Sequence, residues 1–374
     1  MIIFRYINRQ ILQTTAAVTL VLMVVAISSR FIQFLAEAVE GAISSEVLVQ
    51  LIGYRLPDLL LVVVPLAYFV SIMMVFGRMY VENEMVILQG SGMGRTRLLL
   101  ISLGSASIIT IFTAALSLYL APSGLRAVEA LLQNQQQLTE IDLIVPGQFQ
   151  EFGEGNRVTY AENIENDEKL GKVPQNLFIS IATQNPGDNS SQIVLAKTGR
   201  AEILDNTELR FMRLEGVRQY VGIPGEKDYK VAFSDTLSIL LPTPAPMEEI
   251  DEVFTLATAD LIESNLPTHI AELQWRLSMI FLVPILSLIA IPMSRVNPRQ
   301  GRYAKLIPAI LLYSSYFILL QYSRDRVAQG NSDPGVGMIW VHLLFLVLAI
   351  VMFNSEKMMR LIIRRHSEYP NPNG

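Results

Sequence analysis

Six long apolar runs constrain this chain more than any other feature: residues 11–34, 56–76, 98–120, 273–293, 306–322 and 336–353. Each lies near the roughly 20 residues that a helix needs to cross the hydrocarbon core of a bilayer. With 51% hydrophobic and 17% charged residues, a chain of 374 residues is too apolar for an ordinary soluble fold. The expected architecture is a membrane α-helical bundle of six spans. Pro65, Pro284, Pro292 and Pro308 fall inside the runs, and a spanning helix tolerates proline where neighbouring helices re-satisfy the freed carbonyls. That favours a packed bundle over isolated anchors. The first run is too long for a signal peptide and lacks a small-residue cleavage site, so it is expected to be retained. Ahead of it, MIIFRYINRQ reads as an amphipathic lead-in with Arg5 and Arg9 on its polar side.

The basic residues orient the runs. With the N-terminus inside, thirteen Lys and Arg residues collect on the cytoplasmic side, among them Arg78, Arg95, Arg97, Arg295, Arg299, Arg302 and Lys305. The short outer loops carry three, Arg55, Arg324 and Arg326. The positive-inside bias then places both termini in the cytoplasm and the long segment 122–271 outside. That segment holds 23 acidic against 11 basic residues, whereas the rest of the chain holds 11 against 18. The domain organisation expected is therefore three spans (1–121), an acidic translocated insert (122–271), and three spans with a cytoplasmic tail (272–374).

Within the insert the period of hydrophobicity changes from helical to two. LFISIATQ (177–184), QIVLAKT (192–198), ELRFMRLEG (208–216) and YKVAFSD (229–235) are short and β-branched or aromatic, and NPGDNS, LDNTE and IPGEKD bound them as turns. Strands at this spacing predict an all-β sandwich or jelly roll. A helix over 128–138 is expected to lead in, and TPAPMEEIDE (243–252) to lead out. The chain has no cysteine, so the insert must rely on its core and not on disulfides.

The search for chemistry bounds the function by exclusion. No Gly-Lys-Ser/Thr phosphate cradle occurs, and Gly90, Gly92 and Gly94 have neither a preceding strand nor a following lysine. His269, His342 and His366 stand far apart without companion ligands, so no metal and no cofactor is expected. No serine sits in a nucleophile motif, and ionisable residues inside the spans are few, which leaves enzymatic and ion-coupled transport readings without support.

Two features remain. Arg30 lies in the outer third of the first span, where its guanidinium either snorkels to headgroups or faces an anionic ligand. The stretch VENEMVILQGSGMGRTR (81–97) separates the second and third spans. Wound as a helix over 80–89, it places Val81, Met85 and Leu88 on one face with Glu84 at the border, and the glycines end it. It is either a solvated loop helix or a docking element, with apolar knobs for a groove and a carboxylate for a partner's arginine.

MIIFRY, YVENEMVILQGSGMGR and VNPRQGR (296–302) resemble the LptF/LptG permease family of the lipopolysaccharide export transporter of Gram-negative bacteria. The resemblance spans essentially the whole chain, and MIIFRY with VNPRQGR points to the F-type subunit over its G-type paralogue. It implies an ABC transporter permease without its own ATPase activity, in the inner membrane, paired as a heterodimer with the G-type subunit on two cytoplasmic ATPase subunits. It also implies that lipopolysaccharide is extracted from the membrane and handed to a periplasmic bridge. The insert is then a jelly roll that meets the jelly roll of the C component. By the same resemblance Glu84 matches the glutamate of the coupling helix, and Arg30 matches a basic residue near the lipid entry. Gln33 stands where the family can carry a second basic residue, and Arg324 and Arg326 are candidates to complete the anion site. Two other classes would also use such a chain: the permease of another ABC-type system, for lipoprotein extraction or mechanotransmission, and a membrane scaffold that transports nothing.

Overall fold

The structure, a computed structural model, describes residues 2–39, 47–137, 144–152, 157–167, 171–182, 191–203, 210–223, 229–240, 250–295 and 305–367. VNPRQGR, the turn stretches between the strands and most of the expected exit linker lie outside these residues. Helices α1 (Ile2–Val39), α2 (Leu48–Val81), α3 (Glu84–Gly90), α4 (Arg95–Ala115) and α5 (Ala121–Gln137) come first, with a π-turn at Leu116–Leu120 joining the last two. Strands β1 (Gln150–Phe152), β2 (Arg157–Asp167), β3 (Gly171–Ala182), β4 (Ser191–Ile203), β5 (Arg210–Gly222) and β6 (Lys230–Leu240) follow. The chain closes with α6 (Glu252–Thr255), α7 (Thr258–Glu263), α8 (Pro267–Met293), α9 (Leu306–Ala328) and α10 (Ile339–Ser367).

Among the described residues, five helices are long and apolar enough to cross a membrane: Ile2–Ala36, Leu48–Val81, Thr96–Asn134, Pro267–Met293 and Leu306–Ala328. The sixth run forms a shorter apolar helical stretch, Ile339–Asn354. The chain divides into two compact units, one of Met1–Ile27, Tyr54–Arg126 and Ile250–Gly374, the other of Ser28–Gly53 and Ala127–Glu249.

The first unit is a helical bundle with an apolar exterior. Leu20, Ile111, Ile307 and Leu311 are each more than 60% exposed, which water would penalise and lipid does not. Lipid gives helices no hydrophobic reason to associate, so close packing and buried polar contacts must hold them together. Both are present. Tyr68 on α2 lies within 3.3 Å of Ser105 Oγ on α4 and accepts a hydrogen bond from Ser287 Oγ on α8 at 3.4 Å. Such interhelical contacts contribute about 0.6–2 kcal/mol each. Asn8 on α1 enters the backbone of α4: its Oδ1 accepts from Ser105 N at 2.8 Å and its Nδ2 donates to Ile101 O at 3.0 Å. Those two backbone groups are one helical turn apart, so a single amide bridges a donor–acceptor pair of the helix ladder. Gly104 lets α1 come this close, because a Cβ there would lie 2.6 Å from the Phe4 ring.

The β strands form one antiparallel sheet in consecutive order, β1 to β6. The all-β insert expected from the sequence is present as this sheet of described strands. Every described strand pairs with its chain neighbour, and the sheet is not closed. Its strand order is thereby fixed. The four strands read from the sequence correspond to β3–β6, while β1 and β2 were not anticipated, since AENIEND in β2 carries too many polar residues to alternate. One face buries Ala161, Leu177, Ile179, Val194, Met212, Leu214 and Val217. The helix expected over 128–138 is the second half of α5.

Candidate functional site

The stretch between the second and third spans forms a sharper device than a single amphipathic helix. α2 runs to Val81, and Asn83 then adopts a left-handed backbone (φ 60°) that breaks it from α3. Asparagine tolerates that region better than most residues. Arg78 is anchored to α1 by a 2.6 Å hydrogen bond to Gln10 and pairs with Glu82 one turn on. At the far end Gly92 N donates to Gln89 O and Met93 N to Leu88 O, both at 3.0 Å. With Gly92 at φ 87°, this is a Schellman stop, and Met93 and Leu88 pack on the bundle core beside it.

The break sets which side chains face outward. Met85 is 1% exposed inside the bundle, Leu88 packs against the same core, and Val81 is half-buried. The outward apolar pair is Val86 and Ile87, 62% and 73% exposed, with Glu84 half-exposed in the first turn. The sequence period had directed attention to the other face; two adjacent exposed β-branched residues in a seven-residue helix were the available signal.

The three basic residues singled out from the sequence, Arg30, Arg324 and Arg326, fall into different situations. Arg30 on α1 is half-exposed and donates to Gln33 Oε1 at 2.9 Å. Arg326 is exposed and donates to Asn331 O. Arg324 is engaged elsewhere: it pairs with Glu272, and its guanidinium carbon lies 4.5 Å from the centre of the Phe254 ring and 4.9 Å from that of Trp275. Glu272 also accepts from Arg276 Nε at 2.9 Å, and Arg276 is the bulkiest fully buried side chain described.

Strand pairing assembles a further feature. Tyr160, Phe178, Leu195, Arg218 and Phe233 are successive cross-strand partners from β2 to β6. Directly opposed residues share a face, so they form one row on the face opposite the β core. Phe149 extends it, its ring 4.8 Å from Tyr160 and 6.0 Å from Phe178. Phe233 is 73% exposed on β6, which ends the sheet with an unpaired edge among the described residues. Among the described residues no group of three or more His, Asp or Glu could hold a metal ion.

The sequence model of the family described as "Lipopolysaccharide export system permease LptF/LptG" matches residues 5–355. The chain is 26% identical over 362 residues to the "Lipopolysaccharide export system permease protein LptF" of Escherichia coli (strain K12), which covers 94% of each chain. The protein of that name from Shigella flexneri is similar to the same extent.

Proposed function

The chain belongs to the lipopolysaccharide export system permease family LptF/LptG and is an inner-membrane permease subunit of that system; from this premise we propose that it is the F-type subunit and that α3 is its coupling helix. The observation that carries the coupling role is the geometry of α3. A Schellman stop and an αL break hold a single helical element in place, with Val86 and Ile87 facing out and Glu84 beside them. The chain has no phosphate cradle of its own, so a separate ATPase must drive it, and such a surface fits an apolar groove with a basic rim.

On this reading six spans cross the membrane with both termini cytoplasmic, as the asymmetry of basic residues favours, and segment 122–271 is periplasmic. A G-type subunit completes the permease, two ATPase subunits engage the coupling helices, and a C component with a jelly roll continues the path. Arg30, oriented by Gln33, contacts the lipid phosphates, since a guanidinium fork matches phosphate oxygens. Arg326 is the available second cation, because Arg324 is committed to Glu272. The row from Tyr160 to Phe233, apolar except for Arg218, gives acyl chains a track on the β unit, and the open β6 edge suits pairing with a strand of the C component. Closure of the ATPases moves α3, the spans close on the lipid, and the glycolipid is driven toward the β unit.

Reconstitution tests this. Purified with ATPase and G-type partners in proteoliposomes, the chain should release lipopolysaccharide only when ATP is supplied. Failure to co-purify with an ATPase would exclude a transport role, and release unchanged by Glu84→Ala would remove the coupling role from that residue.

A further inference from the structure

Phe254 to Thr258 lies between the last strand and α8 in the chain, and it is held by side chains from three helices. Arg126 on α5 donates through Nε and Nη2 to Thr255 O at 3.1 and 2.9 Å. Arg276 on α8 donates to Phe254 O at 3.2 Å, Leu256 O at 3.0 Å and Thr258 Oγ1 at 2.9 Å. Arg324 on α9 covers the Phe254 ring. Between the last two arginines lies Glu272, one carboxylate oxygen on each. Without that carboxylate, the buried guanidinium of Arg276 and the partly buried one of Arg324 would repel one another, and the contact that holds them in register would be lost.

The same segment is stitched to the π-turn. Thr258 Oγ1 donates to Leu118 O at 2.6 Å, and Ser117 Oγ donates to Arg276 O at 2.8 Å. A π-turn holds one residue more than the α-helix around it and shifts the hydrogen-bond ladder, which makes it a place where a helix changes shape at low cost. Here it interrupts the third span, four residues after Phe112 and six before Arg126. Any change of shape at Leu116–Leu120 must therefore displace Thr258 and the backbone of Arg276, and with them the clasped segment.

We propose that Glu272 is a positioning residue for lipid transfer: by holding Arg276 and Arg324 it clasps residues 254–258 to the π-turn of the third span, so that movement of the bundle reaches the β unit through this segment. The proposal rests on the transport role above and adds the route by which bundle movement leaves the membrane part. Thr258 is the link to the third span, and Glu272 keeps the arginines in register.

The test uses the assembled transporter in proteoliposomes with lipopolysaccharide, carrying a photoreactive residue at position 33 or at position 178. If the wild type shows no ATP-dependent crosslink at 178, the transport reading fails and the clasp is not at issue. With that crosslink present, Thr258→Val should lower it about threefold to tenfold, the range controlled by one hydrogen bond. Glu272→Gln should lower it further. ATP hydrolysis and the crosslink at position 33 should stay near wild type, and Thr258→Ser, which keeps the hydroxyl, should restore transfer. Wild-type transfer by Thr258→Val overturns the proposal. So does a parallel loss of ATP hydrolysis and of both crosslinks, which would mark the clasp as support for the fold alone. Thr258→Val introduces no buried unpaired charge, so it decides the matter even if Glu272→Gln fails to assemble.

Discussion

Glu272 and Arg276 lie one turn apart on α8, 2.9 Å from carboxylate to guanidinium, and their side chains are 7% and 2% exposed. An ion pair so enclosed contributes little net energy against an apolar replacement of both partners, but breaking it is costly because a buried charge is left behind.

Arg276→Met should therefore destabilise the bundle by about 3–5 kcal/mol. It also frees the carbonyls of Phe254 and Leu256. Thermal unfolding of the purified complex in detergent measures this, and a midpoint equal to that of the wild type would refute it.

Asn8 gives a second, chemically specific expectation. Asn8→Leu removes both contacts with the α4 backbone, at a cost of about 1–3 kcal/mol. Asn8→Asp keeps the acceptor for Ser105 N but loses the donor to Ile101 O, and it adds a charge at a site that is 7% exposed. Asp should be the worse of the two, and equal midpoints for both variants would mean that the bridge is not what holds α1 to α4.

Gly124 and Gly53 should respond to alanine in opposite directions. A Cβ on Gly124 would meet the carbonyl oxygen of Tyr54 at 2.3 Å, so α5 must move from α2, costing about 1–3 kcal/mol. Around Gly53, inside α2, there is nothing within 4 Å. Alanine there should stabilise by up to about 1 kcal/mol, the difference in helix propensity. Paired melting curves decide it, and a loss at Gly53→Ala as large as that at Gly124→Ala would contradict the packing.

Residues 85 and 87 separate docking from packing. Ile87→Asp should leave the melting temperature unchanged and weaken ATPase association about tenfold or more, as expected when a charge enters an apolar contact. Met85→Asp should instead unfold the loop region or abolish expression, because its side chain is inside the bundle core. Association measured by pull-down alongside thermal melting distinguishes them; Ile87→Asp that binds normally would remove the docking face.

Much of the architecture was legible in the sequence, since it depends on local pattern. Apolar length specifies helices able to cross a bilayer, and alternation at period two specified β3–β6. Gly92 could be read as a helix stop because only a residue at ease with positive φ closes a Schellman turn there.

Other features depend on partners far away in the chain, where local periodicity carries no information. The phase of α3 was misjudged because Asn83 restarts the helix at Glu84, which turns Met85 toward the core and leaves Val86 and Ile87 outside. Arg324 looked like a free cation near a lipid rim, yet its carboxylate partner lies 52 residues earlier in the chain on another helix. The row from Tyr160 to Phe233 exists only through strand register. The sequence by itself determined that the chain carries membrane-length helices and a β insert, because hydrophobic length and period act through the solvent. Only the tertiary structure decided which charges are paired, which face of α3 is outward and how the strands align, because those outcomes rest on contacts between distant segments.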